Sequence, residues 1–271
     1  MKYKEKFNTN DIVLITGASS GIGAKTAEYL ALKGLKILLV ARREEKLLEV
    51  CERIKKHQGD ARYYVADLTN ENDRNNLFLK LNSQNLIPDI LINNAGFAWY
   101  GYYYDMPWEI GKELIAVNTE AVAHLTRIFL PSMLAKKHGH IINIGSVAGK
   151  LPEQGIALYS ASKAFLDAFT TSVYRDLRGS QVNISVVRAG PIKTEFFETA
   201  RKLDNGSDVP AEKIATSVES VAKGIWRLIN HPQKVVYIPY YLVISPLLEV
   251  FFSKIIDFVG PLLLRKNSKH A

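Results

Sequence analysis

Thr16-Gly17-Ala18-Ser19-Ser20-Gly21-Ile22-Gly23 stands between a short apolar run, residues 11–16, and a helical stretch, residues 21–33. Gly17, Gly21 and Gly23 permit a tight turn and let the backbone approach a pyrophosphate. The free N–H groups and dipole of the following helix would stabilise that charge. Ser19, Ser20 and Ile22 complete this candidate cradle. The spacing is GxxxGxG, and glycine turns between a strand and a helix are common. The placement of the turn therefore carries as much of the inference as its glycines.

The same alternation continues outward. Short β-rich runs recur at 36–41, 62–66, 89–92, 140–145, 183–187 and 234–238, separated by stretches long enough for crossover helices, beginning with a charged one at 44–56. Nearly continuous apolar strands in a βαβ series predict a parallel sheet covered on both faces. Right-handed crossovers then make it doubly wound, an α/β fold of about seven strands flanked by helices. No internal repeat or interdomain linker is visible, and Asp204-Asn205-Gly206-Ser207-Asp208 reads as a mobile loop, not a boundary.

The chain's 271 residues, 47% hydrophobic and 23% charged, suit one globular domain. A net charge of +8 fits an anionic ligand, nucleic acid, an acidic membrane face or simply a basic solvated surface. No basic run with interleaved aromatics follows a single strand, so nucleic acid is not expected as a partner. The single cysteine, Cys51, forms no intramolecular disulfide and fits a reducing compartment. Its charged helical surroundings predict a surface thiol. The six histidines show no metal-ligand spacing, and His138 and His140, flanking Gly139 at a turn, are expected in solvent. No metal is expected. Residues 12–15 are too short for a signal-peptide core, which points to a cytoplasmic protein.

The stretch 235–264 is strongly apolar but interrupted by Pro239, Pro246, Glu249, Lys254, Asp257 and Pro261. None of its uninterrupted runs reaches the ~18–20 residues of a spanning helix. Within 247–259, Glu249, Ser253 and Asp257 recur every four positions as one polar stripe on an otherwise apolar helix. Core packing, a dimer contact, a lid over an apolar substrate and peripheral contact with a membrane through 246–266 all remain open. Arg265, Lys266 and Lys269 would favour acidic headgroups in the last case. The expected organisation is one domain over 1–240 with an apolar extension over 241–271.

The second strand ends in Val40-Ala41-Arg42-Arg43, where an acid would accept hydrogen bonds from a free ribose 2′-hydroxyl. Arg42 and Arg43 would instead grip a 2′-phosphate through forked, charge-assisted bonds, which favours NADP(H) over NAD(H). The plainer alternative is two surface arginines at a helix start, where cations oppose the dipole unless an anion compensates. Asp67 and Leu68 follow the third strand, where an adenine edge would lie. Asn94, Ala95 and Gly96 end the fourth and leave room for the adenine ribose. Asp and Asn are also ordinary turn residues.

Four further residues speak of chemistry: Asn118, Ser146, Tyr159 and Lys163. A free tyrosine has a pKa of about 10 and keeps its proton at neutral pH. Lys163 lies one helical turn beyond Tyr159, and its ammonium would pull the phenol toward the working range. Ser146, at the end of the fifth strand, would donate to a substrate carbonyl as negative charge develops. Tyr29 and Lys33 share the same spacing, so context must decide between the pairs. Tyr159 has the small neighbours Ala157, Ser160, Ala161, Ser162 and Ala164 and follows Ser146.

Together these residues resemble the short-chain dehydrogenase/reductase (SDR) family over roughly residues 10–240. The shared motifs are TGASSGIG, the DLT segment at Asp67, NNAG, VNTEAV around Asn118, GSVAG around Ser146, YSASK and AGPIKT. The resemblance implies a Rossmann-type fold and a homodimer or homotetramer. It makes Tyr159 the proton donor and acceptor, and has Lys163 bind the nicotinamide ribose while tuning Tyr159. It further implies that Ser146 orients the carbonyl, that Asn118 holds a relay water, and that Gly190, Ile192 and Thr194 meet the nicotinamide carboxamide. Two departures stand out. Ala189-Gly190-Pro191 replaces the usual Pro-Gly, and Ser20 stands where many NADP-preferring members carry a cation, leaving phosphate recognition to Arg42 and Arg43.

Seven of the twelve residues from Phe97 to Trp108 are aromatic, in a segment that the resemblance places near the substrate. An apolar ketone (acyl, steroid-like or aromatic) is expected, unless these rings only pack the following helix or an oligomer contact. Two function classes follow: an NADPH-dependent carbonyl reductase, and a non-catalytic NADP(H)-binding sensor or scaffold, which would not need the complete Asn–Ser–Tyr–Lys set.

Overall fold

The computed structural model describes residues 10–206 and 210–267. Strands and helices alternate as β1 (Ile12–Thr16), α1 (Gly21–Ala31), β2 (Lys36–Ala41), α2 (Glu44–Lys56), β3 (Ala61–Val65), α3 (Glu71–Ser83), β4 (Ile90–Asn93), α4 (Trp108–Ile115), α5 (Ala121–Lys136), β5 (Gly139–Ser146), α6 (Ala157–Asp176), β6 (Val182–Ala189), α7 (Glu195–Lys202), α8 (Val218–Asn230), β7 (Val235–Ile238) and α9 (Ser245–Asn267). Among the described residues the sheet has seven strands, all parallel, in the order β3-β2-β1-β4-β5-β6-β7. It is the expected doubly wound Rossmann-type sheet.

Successive strand residues point to opposite faces, so β1 divides its side chains between two cores. Val13 and Ile15 pack with Leu30, Ile37, Leu39, Ile54, Ile92 and Ile225 on the side of α1, α2 and α8. Leu14 packs with Leu38, Leu77, Leu91, Phe129 and Ile141 on the other side. Burial on both faces is why the strands read as unbroken apolar runs. The chain winds outward from β1 to β3 and then returns to β4 beside β1. That reversal opens a crevice at the carboxyl ends of β1 and β4, where the glycine turn lies.

Several local expectations are corrected by this packing. Cys51 is not on the surface: it lies with Leu47, Val50 and Ile54 on the buried stripe of α2, and its thiol donates to Ala61 O at 3.2 Å. Burial pushes that thiol up. His140 is fully buried within β5, 2.8 Å from Ser185 Oγ, because the strand begins at Gly139 rather than after the turn. His138 is half-buried beside Asp11 at 3.3 Å. Helix α2 begins at Glu44, with Glu44 and Glu45 in its first turn and Arg43 preceding it. Arg43 is thus the N-cap of α2, a cation at the positive end of the helix dipole as expected, with Glu44 and Glu45 beside it as compensating charge. In the anticipated loop, residues 204–206 form a turn, and Ser207 and Asp208 lie outside the described residues.

Helix α9 is longer than anticipated and reverses the expected amphipathicity. Ser245 is buried, and Leu248, Glu249, Ser253, Ile256 and Gly260 are half-buried. Leu247, Val250, Phe251, Phe252, Ile255 and Phe258 are exposed, Phe258 at 76%. The polar stripe thus turns partly inward, with only Asp257 of its members exposed. Core packing does not account for this apolar face. Among the described residues no helix is long and apolar enough to cross a membrane.

Candidate active site

A cleft of about 1080 Å³ runs along the carboxyl edge of the sheet, from the glycine turn to α9. Gly17 has φ +63, and a Cβ there would meet Ala95 Cα at 2.8 Å, so glycine is required by both conformation and proximity. Thr16 and Asn94 hold the two sides of the crevice together. Thr16 Oγ1 accepts from Asn94 N and Ala95 N, and Asn94 Nδ2 donates to Thr16 O at 2.9 Å. Ser20, the N-cap of α1, makes no side-chain capping bond, and the first turn holds no acid. The helix end therefore keeps its N–H groups and positive dipole for an anion, as a pyrophosphate requires.

Gly17, Ser19, Ser20, Gly21 and Ile22 line the cleft. So do Arg42, Arg43, Asp67, Leu68, Asn94, Ala95, Gly96, Gly190, Ile192 and Thr194. Gly23, one turn into α1, is buried behind the wall. Arg42 donates to Glu113 at 2.6 Å. Arg43 reaches back to Ser19 and Ser20 and pairs with Glu195 at 3.0 Å. The Asp67 carboxylate accepts from Thr69 N and Thr69 Oγ1, shaping the turn that places Leu68. Thr194 Oγ1 accepts from Phe196 N and caps α7.

Ser146, Tyr159 and Lys163 meet on the cleft wall. The phenol of Tyr159 lies close enough to Ser146 for that hydroxyl to act on its pKa, and Lys163 Nζ lies 5.5 Å from the Tyr159 ring centre. Lys163 Nζ donates to Ile144 O at 3.0 Å, which fixes the ammonium beneath the tyrosine. Burial pushes the Tyr159 phenol up to about 12, opposed by the Ser146 hydroxyl. Burial also lowers Lys163 to about 8. Desolvation thus dominates at Tyr159, which keeps its proton instead of being drawn toward the working range. Tyr29 and Lys33 reproduce the same geometry at 5.3 Å, but that lysine also stacks on Trp226 of α8, away from the cleft.

Asn118 is fully buried in a π-helical turn, residues 116–120. Its Nδ2 donates to Phe97 O and Ser162 Oγ, and its Oδ1 accepts from Phe97 N at 3.1 Å. The side chain ties the NNAG turn to α6, with both amide donors engaged and one acceptor site of Oδ1 left over.

The aromatic segment divides. Phe97 and Tyr100 line the cleft, Trp99 is buried and donates to Asp204 O, and Tyr103, Tyr104 and Trp108 are exposed. Most of these rings therefore pack or face solvent rather than line the cleft. Sequence reasoning missed several wall residues: Glu153, Gln154, Glu195, Phe196 and, on α9, Leu248, Ile255 and Ile256. Phe196 meets Tyr159 edge-to-face at 5.6 Å. For Glu153 and Gln154 the usable signal is their place in the interval between Ser146 and Tyr159. Among the described residues no His, Cys, Asp and Glu side chains cluster as a metal site.

A family model described as short chain dehydrogenase matches residues 11–205. The NADP-dependent 3-hydroxy acid dehydrogenase YdfG of Escherichia coli (strain K12) is 33% identical over 232 residues, 83% of this chain and 91% of the relative. The very-long-chain 3-oxoacyl-CoA reductase of Bos taurus is 32% identical over 193 residues, 69% of this chain and 61% of the relative. Among solved structures, a short-chain dehydrogenase from Sphingobium yanoikuyae in complex with NADPH superposes with a TM-score of 0.79 at 29% identity, covering 91% of this chain and 95% of that one.

Proposed function

Because the chain belongs to the short-chain dehydrogenase family, an oxidoreductase family acting on CH–OH groups, we propose that it reduces an apolar ketone with NADPH. The observation carrying this reading is the convergence of Ser146, Tyr159 and Lys163 on one wall of the cleft, between the glycine turn and an apolar end. When bound, NADPH supplies a hydride to the carbonyl carbon. Ser146 orients the carbonyl oxygen, and Tyr159 gives it the proton that completes the alcohol. A phenol held protonated suits the acid of a reduction. Lys163 holds the nicotinamide ribose and returns the tyrosine's proton. The engaged amide donors of Asn118 make it a positioning residue, with any relay water held by the main chain of its π turn.

Arg42 and Arg43 are placed to hold a 2′-phosphate, each exchanging or sharing an exposed carboxylate partner for the phosphate. The NADP dependence of one relative and the NADPH bound by a similar solved structure support that choice. An apolar substrate fits the rings and α9 side chains at the far end of the cleft. We take residues 1–240 as the catalytic domain and 241–271 as its extension, assembled as a homo-oligomer, with 246–266 as the peripheral membrane contact of a cytoplasmic protein.

Oxidation of NADPH by a panel of apolar ketones tests the reading. Tyr159→Phe is expected to lower kcat by about 10²–10⁴ while NADPH binding persists. Equal kcat for both proteins overturns the role of Tyr159. Turnover by neither, with tight NADPH binding, favours the sensor. Substituting NADH in the same assay tests the arginines, and an equal kcat/KM for both cofactors removes the NADP preference.

A further inference from the structure

The apolar end of the cleft contains one group of polar side chains that the reduction does not use. Tyr100, Glu153 and Gln154 all line it. The two segments that carry them are tied by Gly101 N donating to Gly155 O at 3.0 Å. Glu153 lies close enough to Tyr100 for its charge to help hold the phenol up at about 12, after burial. Gln154 packs against α9, where a Cβ at Gly260 would meet its Oε1 at 2.5 Å. That oxygen is buried and has no hydrogen-bond partner. A buried acceptor without a donor is left desolvated without compensation, a cost that a ligand donor would recover.

The cations of the cleft are elsewhere. Among the described residues lining it, Arg42 and Arg43 pair with Glu113 and Glu195 near the glycine turn, and Lys163 sits beneath Tyr159. Glu153 is exposed at the rim of the cleft and has no ion pair among the described residues, and partial desolvation of its carboxyl pushes its pKa up. A substrate carboxylate arriving at this end would face Glu153 with no compensating charge.

We propose that Tyr100, Glu153 and Gln154 form a distal substrate subsite that accepts a hydrogen bond from a neutral donor, a hydroxyl or amide, and rejects an anionic end. The proposal rests on reading the cleft as that of a ketone reductase. It makes Glu153 a specificity-determining residue that acts by repulsion as well as attraction.

The test uses methyl ketones of one chain length that end in a methyl, a hydroxyl or a carboxylate. Their kcat/KM with NADPH and their Kd in the presence of NADP⁺ are measured on the full chain. The hydroxyl compound is expected to exceed the methyl compound several-fold, and the carboxylate to fall at least about tenfold below it. Glu153→Gln is expected to raise the carboxylate-to-methyl ratio about tenfold, and Gln154→Leu to erase the hydroxyl advantage. A flat Kd series, or a carboxylate ratio unmoved by Glu153→Gln, overturns the subsite. The expected Kd order without any turnover removes the reductase reading and leaves the subsite standing.

Discussion

Lys163 shows how much a single position in this site costs the fold. Its ammonium is buried and donates to the Ile144 carbonyl, and its pKa falls from 10.5 to about 8. Such a drop corresponds to about 3 kcal/mol against the charged form. The sign follows from linkage. Between pH 8 and 10.5 the unfolded lysine is protonated while the folded one is not, so this group makes stability rise with pH across that window. Tyr159 acts oppositely higher up: its unfolded phenol ionises from about 10 and its folded one only at about 12, so stability falls across that range. Lys163→Met is therefore expected to be inactive but more stable than the native protein at pH 7, with the difference shrinking toward pH 10. Chemical denaturation at a series of pH values checks this, and a difference independent of pH would show that Lys163 is not buried as a strained charge. The site is held in this unfavourable state by its surroundings, as functional sites often are.

Those surroundings are elements, and α6 is the decisive one. One turn beyond Lys163, the buried Asp167 accepts from Arg188 Nε of β6 at 2.8 Å, with Lys150 at 3.7 Å. This pair fixes the rotation of α6 over the sheet, and with it the direction of Tyr159. Arg188→Met, which leaves Asp167 buried without its closest cation, is expected to cost about 3–5 kcal/mol in unfolding free energy. Thermal or urea unfolding measures it, and a loss under about 1 kcal/mol would mean that the pair does not hold α6. The elements themselves were largely readable: strands covered on both faces must be continuously apolar, so all seven runs lie within a residue or two of the observed strands. The motifs also pointed to Ser146, Tyr159 and Lys163, which the fold brings together on the cleft wall, because these residues lie within or just before one helix. What escaped depends on contacts distant in sequence. Arg74, 1% exposed, bonds Leu68 O, His124 and Glu120 and so braces the Asp67–Leu68 turn against the π turn of Asn118. Nothing in its own polar helix distinguishes it from a surface arginine. Cys51 and His140 are buried against expectation for the same reason, since neighbours in sequence do not reveal which face the tertiary fold covers.

At the scale of the molecule, the exposed side of α9 is the feature the enzyme fold does not explain. Val250, Phe251 and Phe258 are 71%, 72% and 76% exposed, and Tyr240, Tyr241 and Ile244 extend the apolar surface at the helix start. Patches of this kind mark a partner surface. Charge selects among partners: the chain carries +8, Lys254 lies in the patch, Arg265 and Lys266 fall in the last turn of α9, and Lys269 follows outside the described residues. On a chain of net charge +8, an apolar strip that carries Lys254 would match an acidic bilayer surface better than a second copy of the same basic protein. Docking there would bring the α9 wall of the cleft, through Leu248, Ile255 and Ile256, to the membrane where an apolar ketone would dissolve. The full chain is therefore expected to sediment with phosphatidylglycerol-rich vesicles, weakly with pure phosphatidylcholine, and less as salt rises. Phe251→Glu with Phe258→Glu, each removing roughly 1.5–3 kcal/mol of apolar burial, should weaken vesicle binding at least about a hundredfold. Activity on a water-soluble ketone reports whether the variant cleft remains intact. Vesicle-independent self-association that the same double variant abolishes, with no sedimentation on either lipid, would assign the face to a second copy of the chain instead.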